Sequence, residues 1–482
     1  NVNLMQKTNC EKNHKRRFKN MKKRYILAPG PTEVPPEVLA EASKPVLHHR
    51  TPQYRKILEE TIEGLKYLMQ TEKNVHIIAA SGTGAMEAAV ANVVNPGDKI
   101  IVGSIGNFGD RWEKIAKQYK AEVIKISVEW GEALKPEQLK ETLDNNKDAK
   151  AVYVTLNETS TGVYNDIEAF AKITENYDAI LVVDGISGIG AMPYYHDKWG
   201  VDISVCGSQK GMMIPPGLAT TVVSDKAWKV IEKNTSPKFY FDLKQYENSI
   251  TKEKLPNTPY TSAVSLVMQL NVALKLLKEE GLENVWERHR KLARAVREAV
   301  IEMGLKPFAK ENPSYAVTSV YVPEGIDGNV LTKKIRDDYG ISMAGGQGKL
   351  KGKIFRIGHL GYADRFDAII GILIYWILIN GTLSAAGAAL ARAQPLAILA
   401  AFLAAPLTSL HPALAAGWFA GLVEAKFKMP KVKDFEQLNN LNSYGDFEKN
   451  RVTHILLVTA YANIGSMIGT VIAIPYLLSL LG

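Results

Sequence analysis

The run Ala179-Ile180-Leu181-Val182-Val183 stops on Asp184-Gly185. A second short run, Asp202-Ile203-Ser204-Val205-Cys206-Gly207, delivers Ser208-Gln209-Lys210-Gly211. Apolar runs of this length, bounded by glycine, suit parallel strands buried on both faces. Such strands place reactive side chains at their carboxyl ends. A lysine held there among apolar neighbours loses its proton more readily and can attack a carbonyl as an amine. A nearby aspartate can hold a positive charge in place. Taken alone, the pair also fits a strand-end ion pair with a solvated lysine.

The rest of the first 255 residues repeats the pattern. Tyr25 to Thr32 is extended and turn-rich, because Pro29 and Pro31 disfavour helix in the residues before them. Residues 51–69 carry helical spacing at Tyr54, Ile57, Leu58, Ile62, Leu65 and Leu68. Val75 to Ala80 reads as a strand running into Ser81-Gly82-Thr83-Gly84 and an alanine-rich helix over 85–93. Strand, glycine turn and helix start form a phosphate cradle of bare N–H groups, with the Ser81 and Thr83 hydroxyls added. No Gly-Lys-Ser/Thr follows, so it is not a P-loop. The strand over 99–102 leads to Phe108 among small residues, either a core plug or a stacking platform. The strand over 151–155 leads to the polar turn Asn157-Glu158-Thr159-Ser160-Thr161-Gly162. Alternating strands and helices predict an α/β fold: a mainly parallel sheet of the seven-stranded type with helices on both faces. After the break at Pro256-Asn257-Thr258-Pro259, helices over 264–281 and 282–303 precede a small α+β domain. That domain has strands over 316–321 and 353–357 around a helix over 330–338.

At 482 residues the chain has room for two or three domains. Its net charge of +9 looks like a nucleic-acid signal until it is located. The first 24 residues carry +8, so the folded body is nearly neutral and nucleic acid is not an expected partner. That basic stretch reads as a disordered tail without the apolar core of a secretory signal, and Met21 reads as a natural start. Two cysteines, Cys10 and Cys206, make no disulfide framework, and no Cys/His cluster suggests a metal. The body is expected to be cytoplasmic.

With these positions in hand, residues 24 to about 369 resemble the class V (fold-type I) pyridoxal phosphate (PLP)-dependent aminotransferases. Within them the likeness is to the alanine–glyoxylate/serine–pyruvate aminotransferase group. It rests on Ala28-Pro29-Gly30-Pro31-Thr32, Ser81-Gly82-Thr83-Gly84, Asn157 to Gly162, Val183-Asp184-Gly185-Ile186-Ser187, Gly207-Ser208-Gln209-Lys210-Gly211 with Pro215-Pro216-Gly217, and Phe355-Arg356-Ile357-Gly358, in the family's order. The resemblance implies that Lys210 forms a Schiff base with PLP and shuttles the substrate proton, while Asp184 keeps the pyridine nitrogen protonated. Ser81, Gly82, Thr83 and Gln209 would hold the phosphate, and Phe108 would stack on the ring. Thr159 or Ser160 would bond the ring face or its hydroxyl, and Thr258 would reach the partner subunit's phosphate. Arg356 would clamp the substrate carboxylate beside Gly30. The implied reaction moves an amino group from alanine or serine to glyoxylate or pyruvate, in a homodimer with shared sites. Phosphoserine, aspartate or aminoethylphosphonate are alternative substrates. Cysteine desulfurases need a mobile-loop cysteine, which neither Cys10 nor Cys206 supplies.

Beyond Asp364 the pattern changes. Ala368 to Ile379 is apolar all round, and further apolar runs cover 396–423 and 455–481, separated by a polar connector over 424–451. The first run continues through Ala391 with only Asn380, Thr382 and Ser384 polar, which is long enough to span a bilayer, and the last contains a small-xxx-small motif at Gly465 and Gly469. Residues 377–417 and 450–469 resemble the C-terminal membrane region of the TraB family. The expected organisation is a basic tail (1–24), a large PLP-binding domain (25–258), a small domain (259–369) and an all-α transmembrane region (370–482) contacting lipid. The pattern break marks a fusion of two modules. A second reading makes the chain a TraB-type membrane protein with an incidental enzyme part.

Overall fold

The computed structural model describes residues 24–364, 367, 381–408, 415–441 and 443–479. The basic tail and the apolar run at Ala368 to Ile379 fall outside them. Two compact units divide the chain: residues 1–294 with 307–367, and residues 295–306 with 368–482.

In the first unit, β1 (Val75–Ile78), β2 (Lys99–Ser104), β3 (Glu122–Ser127), β4 (Ala151–Thr155), β5 (Ile180–Asp184), β6 (Ile203–Gly207) and β7 (Ala219–Val223) form one sheet in the order β1-β7-β6-β5-β4-β2-β3. All neighbours from β6 to β3 pair in parallel, and β7 alone runs against both β6 and β1. Two of these strands were not expected from sequence. Strand β3 lies at the sheet edge with polar residues exposed, which hides an apolar run. Strand β7 follows the Lys210 loop at short range.

Successive residues of a strand point to opposite faces, and here both faces are buried. Val152, Val154, Leu181 and Val183 join one core, together with Leu58, Ile62 and Leu65 of α1 (Pro52–Met69). Ala151, Tyr153, Ile180 and Val182 join the other, with Ala85, Ala88 and Ala89 of α2 (Gly82–Val93) and Trp112 of α3 (Gly109–Gln118). The alanines of α2 let that helix lie close to the sheet. Helices α4 (Val264–Glu280) and α5 (Leu282–Glu302) lead to a three-stranded sheet. There, β8 (Val317–Tyr321) and the short strand Ala344–Gly345 flank β9 (Ile354–Gly358), beside α6 (Gly328–Tyr339).

The second unit contains α7 (Gly381–Leu390), α8 (Pro395–Thr408), α9 (Ala416–Lys428) and α10 (Arg451–Ser479). Its buried cluster is almost all alanine: Ala388, Ala391, Ala393, Ala397, Ala401, Ala420 and Ala462, with Val458. A Cβ on Gly387 or Gly465 would meet the backbone of Tyr461 or Leu383, so these helices touch main chain to main chain. The Ser384 hydroxyl donates to the Ala462 carbonyl at 2.9 Å. At one end, buried Glu424 accepts from the Gln394 N–H at 2.7 Å and faces His454 Nε2 at 3.2 Å, tying three helices together. Among the described residues one helix, Arg451–Gly469, is long and apolar enough to cross a membrane. Gly381–Leu390 and Pro395–Thr408 are apolar but shorter.

Candidate active site

Parallel strands β2, β4, β5 and β6, with β1 running the same way, bring their carboxyl ends to one edge of the sheet. Asp184 closes β5, and Lys210 follows β6 by three residues. The Lys210 ammonium donates to the Pro29 carbonyl, and its chain lies against Gly30. Gly30 has φ +129°, and a Cβ there would stand 2.5 Å from Lys210 Cδ and Cε, so only glycine fits. Burial, and then the charge of Arg356, pull the Lys210 amine down to about 8, while Asp184 opposes the shift. About a tenth of this lysine is therefore a neutral amine at pH 7, far more than for an exposed lysine.

Asp184 is buried and accepts from the Ile186 N–H at 2.9 Å. Burial pushes its carboxyl up to about 7, and Glu158 adds to the rise, against the Ile186 bond, Arg111 and Lys210. A cationic nitrogen against Asp184 would favour its ionised form.

The amino end of α2 forms the expected cradle. The first N–H groups of a helix have no partner within it. Ser81 is the N-cap, exposed and without a side-chain capping bond. A Cβ on Gly82 would stand 2.6 Å from Ile186 Cδ1. A Cβ on Gly207 would stand 3.6 Å from Gly82 Cα and 3.4 Å from Gln209 Oε1, which places the Gln209 carboxamide beside this helix end. Gln209 Oε1 is buried without a partner. A carboxamide's two ends interchange by a flip, so its NH2 can face an anion. Bare N–H groups, two hydroxyls and an unpartnered carboxamide fit a phosphate.

Arg356, on β9, is buried. Its Nε donates to the Gly345 carbonyl and one terminal nitrogen donates to the Thr159 carbonyl, each at 2.9 Å. Burial lowers the guanidinium to about 10, so it remains cationic at neutral pH. Its other terminal nitrogen makes no hydrogen bond to the described residues, which leaves a donor edge for an anion. Thr159 thus enters through its carbonyl. None of Thr258's hydrogen bonds reaches this group: its hydroxyl donates to the Tyr260 carbonyl at 2.7 Å, and its carbonyl accepts from Arg50.

Two residues without a role in the sequence reading organise the rest. Glu158 is fully buried. One carboxylate oxygen accepts from the N–H groups of Phe108 (2.9 Å) and Gly109 (3.0 Å), the other from the Ser160 N–H (3.1 Å) and hydroxyl (2.6 Å). It fastens the loop after β2 to the turn after β4. Burial raises its carboxyl, and the four bonds resist. Arg111 donates to the Thr83 hydroxyl at 2.7 Å, and its guanidinium carbon lies 4.6 Å from the Phe108 ring centroid. The spacing from Phe108 to Arg111, one helical turn at a helix start, was the available signal.

Residues 24–351 match the family profile of class-V aminotransferases. The chain belongs to the class-V aminotransferases. Residues 353–482 match the C-terminal domain of TraB family proteins. The aminotransferase is 47% identical over 349 residues to an uncharacterized aminotransferase of Methanocaldococcus jannaschii, covering 72% of this chain and 90% of that one. It is 37% identical over 354 residues to the L-aspartate–glyoxylate aminotransferase of Paracoccus denitrificans, covering 72% and 89%. The crystal structure of an alanine–glyoxylate aminotransferase from Nostoc sp. superimposes with a TM-score of 0.70 at 30% identity, over 74% of this chain and 95% of that one. The enzyme is a PLP-dependent transaminase, and the cradle at α2 and the Lys210–Asp184 pair fit that cofactor.

Proposed function

We propose that the enzyme transfers an amino group from a small amino acid, alanine or serine, to glyoxylate or pyruvate. The meeting of Lys210 and Asp184, at the carboxyl edge of the large sheet, with Arg356 of β9, tied to the Thr159 carbonyl, carries this reading. Bound PLP supplies an electron sink conjugated to the substrate's α-carbon. Lys210 would be its attachment point, and Lys210 Nζ would carry the proton to and from that carbon. Asp184 would hold the ring nitrogen's positive charge. Ser81, Gly82, Thr83 and Gln209 would hold the phosphate, and Phe108, backed by Arg111, would cover the ring. Arg356 would take the substrate carboxylate on its free edge, beside Gly30 and Thr159.

A donor with a second carboxylate is the other reading, favoured by the likeness to the L-aspartate–glyoxylate enzyme. Comparing kcat/KM for alanine, serine, aspartate and phosphoserine with glyoxylate as acceptor separates the two. Alanine or serine leading supports the main reading, and aspartate or phosphoserine leading overturns it.

The enzyme part is proposed to be a cytoplasmic homodimer in which Thr258 serves the partner's phosphate. The second unit is proposed to lie in a bilayer. Leu396, Leu399, Leu403 and Leu407 form an exposed stripe along α8, while Ala397, Ala401 and Ala405 are buried. Trp418, Phe419 and Leu422 are exposed on α9. Large side chains outside and small ones inside suit hydrocarbon surroundings. Carbonate extraction of expressing cells tests this: the chain should stay with the membrane pellet, and release into the supernatant would contradict it.

A further inference from the structure

The stretch Lys426-Phe427-Lys428-Met429-Pro430-Lys431-Val432-Lys433 closes α9 and opens the connector to α10. It holds four lysines and no carboxylate. Lysines at the end of a helix favour its dipole, which would account for Lys426 and Lys428 alone. The dipole does not account for the apolar residues set between them. Phe427, Met429 and Val432 are 51%, 69% and 75% exposed, and Phe435 just beyond is 56% exposed. Among the described residues none of the four lysines has an ion-pair partner, although Asp434 and Glu436 lie close in sequence.

We propose that residues 426–433 form a docking surface for the anionic headgroup layer of a phospholipid bilayer. The inference rests on the reading that the helical unit lies in lipid. The segment continues from the exposed Trp418, Phe419 and Leu422 face of α9, where hydrocarbon contact would end and headgroups begin. Exposed Phe427, Met429 and Val432 would sit at the acyl boundary, and the interleaved lysines would meet phosphate oxygens. Each lysine near an anionic surface strengthens binding about fivefold, and salt screens the effect.

The test uses the full-length, PLP-loaded chain in nanodiscs of phosphatidylcholine alone or with added phosphatidylglycerol. A Val432→Cys label with an environment-sensitive dye, on a Cys10→Ser background, reports polarity and access to aqueous iodide. In phosphatidylglycerol discs its emission should shift blue and iodide quenching should fall several-fold. High salt, or the variant K426Q/K428Q/K431Q/K433Q, should abolish the difference. A label equally water-exposed in both lipids overturns the proposal, as does a quadruple variant that keeps the difference. If the chain does not insert into discs at all, the membrane reading itself fails and this proposal falls with it. Transaminase activity should be the same in every variant, because the catalytic and binding residues named above all belong to the other unit.

Discussion

The two units of this chain are packed by opposite rules. In the aminotransferase unit the largest apolar side chains are innermost: Tyr54, Leu65, Trp112, Phe170 and Phe355 are buried, as are nearly all positions of the central strands. In the helical unit the buried apolar cluster is almost all alanine, with glycines at the helix crossings, while leucines such as Leu399 and Leu403 and the aromatics Trp418 and Phe419 face outward. Burying apolar surface from water is worth about 25 cal/mol per Å2, so a water-soluble fold puts bulk inside. In hydrocarbon that gain between helices disappears, and close backbone approach between small residues holds helices together. The same contrast places the chemistry. Lys210 and Asp184 need a rigid, water-excluding sheet edge, and Arg356 a second sheet beside it; among the described residues only the first unit provides them.

The largest effect should come from the site. Arg356→Leu removes the carboxylate clamp and should lower kcat/KM about 10^3-fold in steady-state assays. The bound-cofactor absorbance should be kept, since the proposed role of Arg356 is toward the substrate and not the cofactor. Next, Phe170→Ala should destabilise the enzyme unit by about 3–5 kcal/mol in denaturant unfolding, as a cavity in a dense core does. The helical unit should respond to the reverse change. Gly421→Leu would drive a side chain into Thr459 and should cost about 1–3 kcal/mol by overpacking, read as thermal unfolding in detergent.

A fourth expectation concerns the buried lysine. The Lys210 amine falls from 10.5 to about 8 on folding, so below pH 8 the fold carries the cost of a buried ammonium. Between about pH 8 and 10.5 the unfolded chain binds more protons, and stability rises with pH. In cofactor-free protein Lys210→Met should therefore be more stable by about 3 kcal/mol at pH 7, with the advantage fading toward pH 10. A variant no more stable at pH 7 would contradict the burial of that amine. The smallest effect belongs to the outward stripe: Leu403→Ala should change stability in detergent by less than about 0.5 kcal/mol. A loss as large as that of Phe170→Ala would show that α8 buries its leucines, and the contrast between the units would collapse.

How much of this was legible in the sequence follows from the range of each signal. Asp184, Lys210 and the Ser81-Gly82-Thr83 turn were readable because apolar runs, glycine and a reactive side chain lie within a few residues of one another. The edge strand Glu122–Ser127 was not, since its exposed polar positions erase the apolar run that marks a buried strand. Glu158 and Arg111 escaped for a different reason. Glu158 acts on Phe108 and Gly109, fifty residues earlier, and Arg111 acts on Thr83, so their partners exist only after the sheet has formed. The helical unit's apolar character was plain, yet the inward alanines and outward leucines emerge only once the helices are paired.

The most direct measurement is borohydride reduction of the PLP-loaded, full-length chain, followed by proteolysis and mass spectrometry of every lysine-containing peptide. The account predicts one stable cofactor adduct, on Lys210, absent from Lys210→Ala. An adduct on another lysine, or one that persists in Lys210→Ala, would contradict it.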